Sequence, residues 1–156
     1  PDYADAHNDL AELLMKMGDS TGALSHYTAA HHLKPDDPDI AYNLANALVS
    51  SNQLDEAIGL YRWALRQRPR FAAGAQNNLG LALTRSGRAS EALAHYATAI
   101  QLLPDSAVAH HNYALALDAA GRRSQAIEEE NAALRLAPDF AAARAHLEQM
   151  LSAERP

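Results

Sequence analysis

The chain contains no cysteine, and its 13 basic residues are outnumbered by 19 acidic ones in 156 residues. The absence of cysteine excludes disulfides and thiol chemistry. The net charge of −6 argues against a nucleic-acid binder, which needs a basic stripe to meet the phosphate backbone. No apolar run approaches the roughly 18 residues of a membrane span. Because no signal peptide is visible, we expect no membrane insertion and favour a cytoplasmic location.

The sequence is rich in alanine, and four of its prolines are regularly spaced. Alanine accounts for 35 residues, and 48% of the chain is hydrophobic, which rules out disorder on composition. The prolines recur 34, 35 and 34 residues apart, at Pro35, Pro69, Pro104 and Pro138. A fixed period near 34 is typical of a helical repeat array rather than of a single globular core. We therefore predict an all-α protein.

Each period holds two apolar stripes joined by a turn residue. In the second period one stripe with helical spacing runs from Ala41 to Leu48, Asn52 interrupts it, and another runs from Ala57 to Leu65. Glycine and asparagine tolerate left-handed backbone angles, so the Asn52 position predicts the end of a helix. The equivalent residues in the other periods are Gly18, Gly87 and Gly121. Asp37, Ser106 and Asp139 are placed to cap the helices that follow them.

Residues at equivalent positions of the periods form columns of large and small side chains. No single unit can bury its own stripes, so neighbouring units have to stack. Glu130 stands in the aromatic column of the fourth unit, and we expect it to weaken the packing unless Arg144 or His146 pairs with it. The columns are Leu10, Leu44, Leu79 and Tyr113; Ala11, Ala45, Gly80 and Ala114; and the aromatic Tyr27, Tyr61 and Tyr96.

This combination of small and large columns, turn glycine, aromatic column and closing proline resembles the tetratricopeptide repeat (TPR). The resemblance covers essentially the whole chain, and it implies a single array, 1–156, wound as a right-handed superhelical solenoid. The family's usual tryptophan early in the first helix is absent. The four units are 4–37, 38–71, 73–106 and 107–140, and a C-terminal helix follows at 141–154.

The two ends of the array carry further expectations. For the C-terminal helix we favour a capping role over the first half of a fifth unit, with Leu147 and Leu151 facing inward. At the other end, residues 1–3 resemble residues 138–140 at the end of the last unit. We therefore expect the chain to be a fragment of a longer protein, with at least one repeat upstream.

In TPR proteins the first helix of each unit lines a concave face, and here that face is rich in asparagine. Asn43, Asn78 and Asn112 occupy one equivalent position in successive units. A side-chain amide offers a donor and an acceptor that match a peptide unit, so this asparagine ladder predicts a grip on an extended peptide backbone. The alternative is that these side chains are solvated or bond to neighbouring first helices. The groove residues we predict are Asn8, Glu12, Tyr42, Asn43, Asn46, Asn77, Asn78, His111 and Asn112, with Val49 and Leu115 on the same face.

An asparagine ladder of this kind is similar to that of the O-linked N-acetylglucosamine transferase and SPINDLY type of TPR. There the ladder holds substrate polypeptide and a separate domain does the chemistry. The resemblance implies an alternative function as the substrate-recognition arm of a glycosyltransferase whose catalytic domain lies outside this chain. In chaperone-type TPR domains a Lys and an Arg form a carboxylate clamp. Here Asn8 stands at the Lys position and Asn112 or Asn78 at the Arg position, so we do not expect a clamp.

Metal, cofactor and catalytic motifs are not expected. The eight histidines include no His-x-x-x-His spacing, and His31-His32 and His110-His111 are adjacent pairs that point to different helix faces. Residues 128–130 are three consecutive glutamates that fan out around a helix rather than face one cleft. No phosphate-cradling glycine loop is present. We predict no metal site, no cofactor and no enzymatic activity.

Trp63 lies opposite the buried stripe of its helix, so the pattern predicts an exposed indole on the convex side. Arg62 and Arg66, together with Arg68 and Arg70, surround it. Such a patch suits a contact or self-association surface; the alternative is an arginine laid over the indole as a cation–π pair.

From these features we predict an interaction module that binds an extended peptide or partner segment in its groove. The alternatives are the transferase arm and an oligomerisation scaffold that uses Trp63 or the array ends.

Overall fold

The computed structural model describes residues 3–67 and 71–152, and in these ranges the chain is entirely helical apart from its turns. Helices alternate with short connections, so each of the four predicted units contains two of them. The helices are α1 (Ala4–Lys16), α2 (Ser20–Leu33), α3 (Pro38–Ser50), α4 (Leu54–Arg66), α5 (Ala72–Arg85), α6 (Ala89–Leu102), α7 (Ala107–Ala119), α8 (Arg123–Leu136) and α9 (Ala141–Ser152).

The turn inside each unit depends on one residue with a left-handed backbone. Gly18, Gly87 and Gly121 have φ between 75° and 82°, and Asn52 has φ of 59°. These angles are open to glycine and, at some cost, to asparagine. The prediction that this column ends the first helix of every unit is confirmed.

Side-chain caps fix the starts of three helices. The carboxylate of Asp37 accepts hydrogen bonds from the backbone amides of Asp39 and Ile40 at 2.9 and 3.2 Å. The hydroxyl of Ser106 accepts one from Ala109 at 3.2 Å. Asp19, which the sequence analysis did not single out, caps α2 in the same way. Pro69, the closing proline of the second unit, lies outside the described residues.

The core consists of small residues on facing helices with tyrosines between them. Ala57, Ala64, Ala92 and Ala99 are at most 2% exposed, and Tyr61 and Tyr96 at most 1%. Small side chains let paired helices approach closely, while the rings fill the space that remains. Gly80 shows how close the approach is, because a Cβ at that position would lie 2.8 Å from the ring of Tyr96.

First helices lie on the inner side of the array. Each helix packs against its neighbours in sequence, and in addition α3 contacts α5 and α5 contacts α7. Second helices of neighbouring units make no comparable contact in the described part of the chain. A stack in which one set of helices is drawn together curves toward that set. The concave face is therefore formed by α3, α5 and α7, in agreement with the expectation from sequence.

Three predicted core or surface positions are wrong. Leu10 was assigned to a buried column, but it is 41% exposed because no described helix covers that face of α1. Val49 was assigned to the groove, but it is 8% exposed and packs in the main core. Leu151 was expected to face inward, but it is 45% exposed. Met150, one residue earlier, takes the inward position beside Leu117.

Helix α9 packs as the first helix of a further unit would, through Ala143 and Met150. On its other side Glu148 is exposed. The equivalent residues of the earlier units are Ala11, Ala45, Gly80 and Ala114, all of them buried. A charged residue at this position suits a face turned to water, and the capping role of α9 stays a prediction.

None of the described helices combines the length and the apolar character that crossing a membrane would require.

Candidate functional site

The predicted asparagine ladder lies on successive first helices, and its members are half-buried. Asn43 is on α3, Asn78 on α5 and Asn112 on α7, with Asn8 on α1 beside the first of them. Their amides reach across from one helix to the next, so part of their hydrogen-bonding capacity is used within the protein. Local bonding between first helices, the alternative left open by the sequence, is thus present in the structure.

The first crossing joins α1 to α3. The Asn43 side-chain nitrogen donates to Asn8 Oδ1 at 2.9 Å and lies 3.5 Å from Glu12 Oε1. Asn8 donates in turn to Glu12 Oε1 at 3.3 Å. Asn8 therefore has both ends of its amide engaged, whereas the carbonyl oxygen of Asn43 accepts no hydrogen bond from the described residues.

The second crossing joins α3 to α5. The Asn78 nitrogen donates to Asn46 Oδ1 at 2.8 Å and to the Tyr42 hydroxyl at 3.3 Å. The hydroxyl of the buried Tyr61 donates to the same Asn46 oxygen at 2.6 Å. Asn46 is thus held by the core, and its own amide nitrogen has no partner within the described ranges.

The third crossing joins α5 to α7. Asn112 donates to Asn77 Oδ1 at 3.1 Å, and Asn77 donates to Asn78 Oδ1 at 3.0 Å. The amides of Asn77 and Asn78 are occupied at both ends, but the oxygen of Asn112 has no donor among the described residues. The ladder is therefore a row of fixed amides, of which Asn43, Asn46 and Asn112 each present one polar atom that is not used internally.

An acidic pocket of about 270 Å³ opens where α1 meets α3. Two ladder members, Asn8 and Asn43, lie in its wall together with Ile40 and Phe71. One of its carboxylates, Asp5, is paired with Lys34 at 2.9 Å. The carboxylates of the wall are Asp5, Asp9, Glu12, Asp37 and Asp39. Five carboxylates around one opening give it a negative potential that favours a cationic group.

Tyr42 and His111, two further predicted groove residues, are held in place by their neighbours. The Tyr42 ring stacks on Phe71 with centroids 5.7 Å apart, and its hydroxyl accepts from Asn78. His111 packs edge-on against Phe140 at 5.0 Å and bonds to Glu130 at 2.8 Å. Both side chains, which are predicted groove residues, are thus fixed in place by internal contacts.

Glu130 is fully buried in the position of the aromatic column. His146 pairs with it, as predicted, with Nδ1 at 2.6 Å from Oε1. Arg144, the other predicted partner, instead donates to the carbonyl oxygen of Pro138. The second partner of Glu130 is His111, which sequence reasoning had placed in the groove without connecting the two.

The predicted convex patch is not an exposed tryptophan among free arginines. Trp63 is half-buried, and its ring lies edge-on to His31 with centroids 6.4 Å apart. Arg62 is paired with Glu91 on the next second helix. Arg66 is exposed, as expected, and Arg68 and Arg70 lie outside the described residues. The indole therefore exposes less surface for contact than predicted, because α2 covers part of the ring.

Burial perturbs several ionisable groups of the packed helices. Burial raises the pKa of Tyr27 and of Tyr96 to about 12, and it also raises the pKa of Tyr61. Burial lowers the pKa of His95, whose Nδ1 lies 2.8 Å from Gln76 Oε1. The hydrogen bond from Arg88 lowers the pKa of Glu91 on the surface. None of these groups is in the groove, and the tyrosines stay neutral as structural side chains.

Comparison with known proteins places this fold among helical repeats. The fold is the all-α helical repeat of the tetratricopeptide type, and residues 42–107 match the family model of the tetratricopeptide repeat. The solved structure of MamA from Desulfovibrio magneticus RS-1 superposes with a TM-score of 0.87 at 21% identity, covering 99% of this chain and 86% of that one. At this identity the likeness concerns the fold alone.

Two further similar proteins are larger than this chain. Protein FlbA of Caulobacter vibrioides is 33% identical over 110 residues, and the match spans 70% of this chain but only 18% of FlbA. The structure of the APC/C hetero-tetramer Cut9–Hcn1 matches with a TM-score of 0.87 at 20% identity, over 93% of this chain and 29% of the other. The finer resemblance to glycosyltransferase-type repeats stays a prediction.

These matches bear on the class of function. Proteins built from tetratricopeptide repeats commonly bind protein partners. A role in protein–protein interaction or as a scaffold is therefore consistent with the fold.

Proposed function

We propose that the concave face binds an extended segment of a partner protein, with a preference for segments that carry Lys or Arg. The observation that carries the proposal is the row of amides fixed across α1, α3, α5 and α7, which begins at the acidic pocket. A fixed polar group binds with a smaller loss of side-chain entropy than a mobile one. The internal bonds therefore support recognition by the atoms that remain available.

The proposed mechanism uses three unused amide atoms. The carbonyl oxygens of Asn43 and Asn112 accept backbone N–H groups of the partner, and the amide nitrogen of Asn46 donates to a backbone carbonyl. Because these contacts address the backbone, they demand little of the partner's sequence. The carboxylates beside Asn8 supply the preference, since they attract a Lys or Arg side chain next to the first amide.

The test is selection of binders from a displayed library of unstructured peptides, followed by calorimetry with the selected peptides. We expect enrichment of Lys and Arg and an affinity that falls with salt. Asn43→Ala and Asn112→Ala should each weaken binding by up to about tenfold, the equivalent of one hydrogen bond. Asn131→Ala, on the exposed side of α8, is the matched control. Affinities that are unchanged in the ladder variants, or equally reduced in the control, would refute the proposal.

A second candidate, self-association through the end of the array, is favoured by one observation. Helix α1 exposes a stripe of apolar residues with helical spacing, and Leu13 and Met17 are 53% and 72% exposed. The residues equivalent to Leu13 are Ala47, Ala82 and Ala116, which are fully buried against the preceding unit. The stripe consists of Tyr3, Ala6, Leu10, Leu13 and Met17.

Light scattering coupled to size exclusion tests the second candidate. If a second copy covers this stripe, the chain elutes as a dimer, and Leu13→Glu converts it to a monomer because the charge would be buried in the interface. Leu102→Glu, at an exposed leucine on α6, is the control and should leave the dimer intact. A chain that is monomeric at its highest soluble concentration would remove this candidate while leaving peptide binding untouched.

A further inference from the structure

Glu130 occupies a position that is aromatic in the other units. A residue of the first helix contacts the residue 19 positions later in the second helix, and this register pairs Tyr42 with Tyr61, with ring centroids 6.0 Å apart. In the fourth unit the same register pairs His111 with Glu130. The fourth unit thus has a carboxylate and an imidazole where the second unit has two aromatic rings. The side chain of Glu130 is fully buried at this position.

Three ligand-type atoms converge at this position. Glu130 Oε1 lies 2.8 Å from His111 Nδ1 and 2.6 Å from His146 Nδ1. The donor atoms of the three side chains lie within 4.8 Å of one another, and they form the one such group found in the described part of the chain. The imidazoles come from α7 and α9, and their side chains are 12% and 11% exposed, so the cluster is not sealed from solvent.

His146 lies between two carboxylates, one at each ring nitrogen. Its Nδ1 faces Glu130, and its Nε2 lies 3.5 Å from Asp118 Oδ2. A neutral imidazole has one N–H, so it would leave a lone pair directed at one of these two carboxylates. A metal ion on Nδ1 would remove the conflict, as a second proton on the ring would, because Nε2 then carries a proton and donates to Asp118. A carboxylate on the far nitrogen is the common support of a metal-ligating histidine.

A cation would also compensate the charge of the cluster. Glu130 has no Lys or Arg partner among the described residues, whereas Asp118 has Arg123 at 3.1 Å. A buried carboxylate without a compensating charge is costly. Two imidazole nitrogens and one carboxylate oxygen are a donor set suited to Zn²⁺ and similar transition ions, rather than to Mg²⁺ or Ca²⁺, which prefer oxygen alone.

We infer that His111, Glu130 and His146 form a three-ligand site for a divalent transition ion of the zinc type, with Asp118 orienting His146. Because tetrahedral ligands about 2.1 Å from Zn²⁺ lie about 3.4 Å apart, the ion would replace the two hydrogen bonds to Oε1 and move the three side chains slightly apart. The site joins α7, α8 and α9, and it shares the predicted groove residue His111 but none of the amide atoms used in the peptide-binding proposal.

The test is titration of the metal-free chain with Zn²⁺ by calorimetry, with Mg²⁺ as the comparison ion. We expect saturation at one Zn²⁺ per chain, no binding of Mg²⁺, and a higher unfolding temperature with Zn²⁺. The imidazole ¹⁵N resonances should show coordination through Nδ1 of His111 and of His146. His146→Gln should weaken binding at least about tenfold, and Asp118→Asn by about tenfold as the loss of an orienting carboxylate.

Two histidine variants outside the proposed site serve as controls for Zn²⁺ binding. His95→Gln removes a histidine bonded to Gln76, and His26→Gln removes one whose Nδ1 lies 2.8 Å from that of His7. Both should bind Zn²⁺ as the parent does. The site is refuted if Zn²⁺ does not saturate at one per chain, if His146→Gln binds as tightly as the parent, or if His26→Gln abolishes binding. Glu130 is fully buried, so Glu130→Gln could prevent folding. His146 is partly exposed, so His146→Gln tests the metal site even in that case.

Discussion

Gly80 and Gly59 both lie inside helices, but their surroundings are opposite. A Cβ added to Gly80 would meet the ring of Tyr96 at 2.8 Å, while nothing lies within 4 Å of one added to Gly59. Tyr96 is fully buried, and its hydroxyl lies 3.4 Å from the Thr84 hydroxyl, so the ring has little room to move. The same chemical change therefore has two expected outcomes.

We predict that Gly80→Ala lowers the free energy of unfolding by about 1 kcal/mol, because overpacking outweighs the gain in helix propensity. Gly59→Ala should raise it by about 0.5–1 kcal/mol, since only the propensity term applies there. Urea unfolding followed by circular dichroism measures both values. A Gly80→Ala protein as stable as Gly59→Ala would show that the Tyr96 ring is free to shift.

At the scale of the element, the starts of the helices depend on individual caps. Asp37 holds the first turn of α3 through two backbone amides, and Pro38 follows at the first helical position, where the missing N–H is no loss. Sequence alone predicted this cap and that of α7. It did not predict the cap at Asp19, although an Asp directly after the turn glycine is a signal that could have been used.

Asp37→Ala should reduce the free energy of unfolding by about 1 kcal/mol, the usual effect of losing a capping carboxylate. The neighbouring Asp36 is exposed, and Asp36→Ala serves as the control for the change in charge, with an expected effect within about 0.5 kcal/mol. Thermal unfolding of the three proteins side by side is the measurement. Equal destabilisation by both substitutions would mean that charge, and not capping, is responsible.

At the scale of the molecule, stability is distributed along the stack. The main core joins helices α1 to α7, whereas α9 packs against a smaller cluster around Leu117 and Met150. In a linear array each unit is stabilised by its neighbours, so the ends have the lowest local stability.

Hydrogen exchange read by mass spectrometry should follow this distribution. Amides of α3 to α6 should exchange slowest and those of α9 fastest, since α9 has a packed neighbour on one side only. If Zn²⁺ binds as inferred, its addition should slow exchange in α9 more than in α4. Exchange in α9 that is as slow as in α4 in metal-free protein would contradict the distribution.

The repeat, the helix ends and the turn residues were determined by the sequence itself, because each depends on residues within a few positions: a period of apolar side chains, a residue with positive φ, a capping oxygen. Three matters were decided only by the tertiary structure. They are the bonding of the ladder amides to one another, the meeting of His111, Glu130 and His146, and the exposure of Leu10 and Leu13. These depend on distances between residues 16 to 35 positions apart, which are fixed by how neighbouring helices pack and by which helix faces have no neighbour.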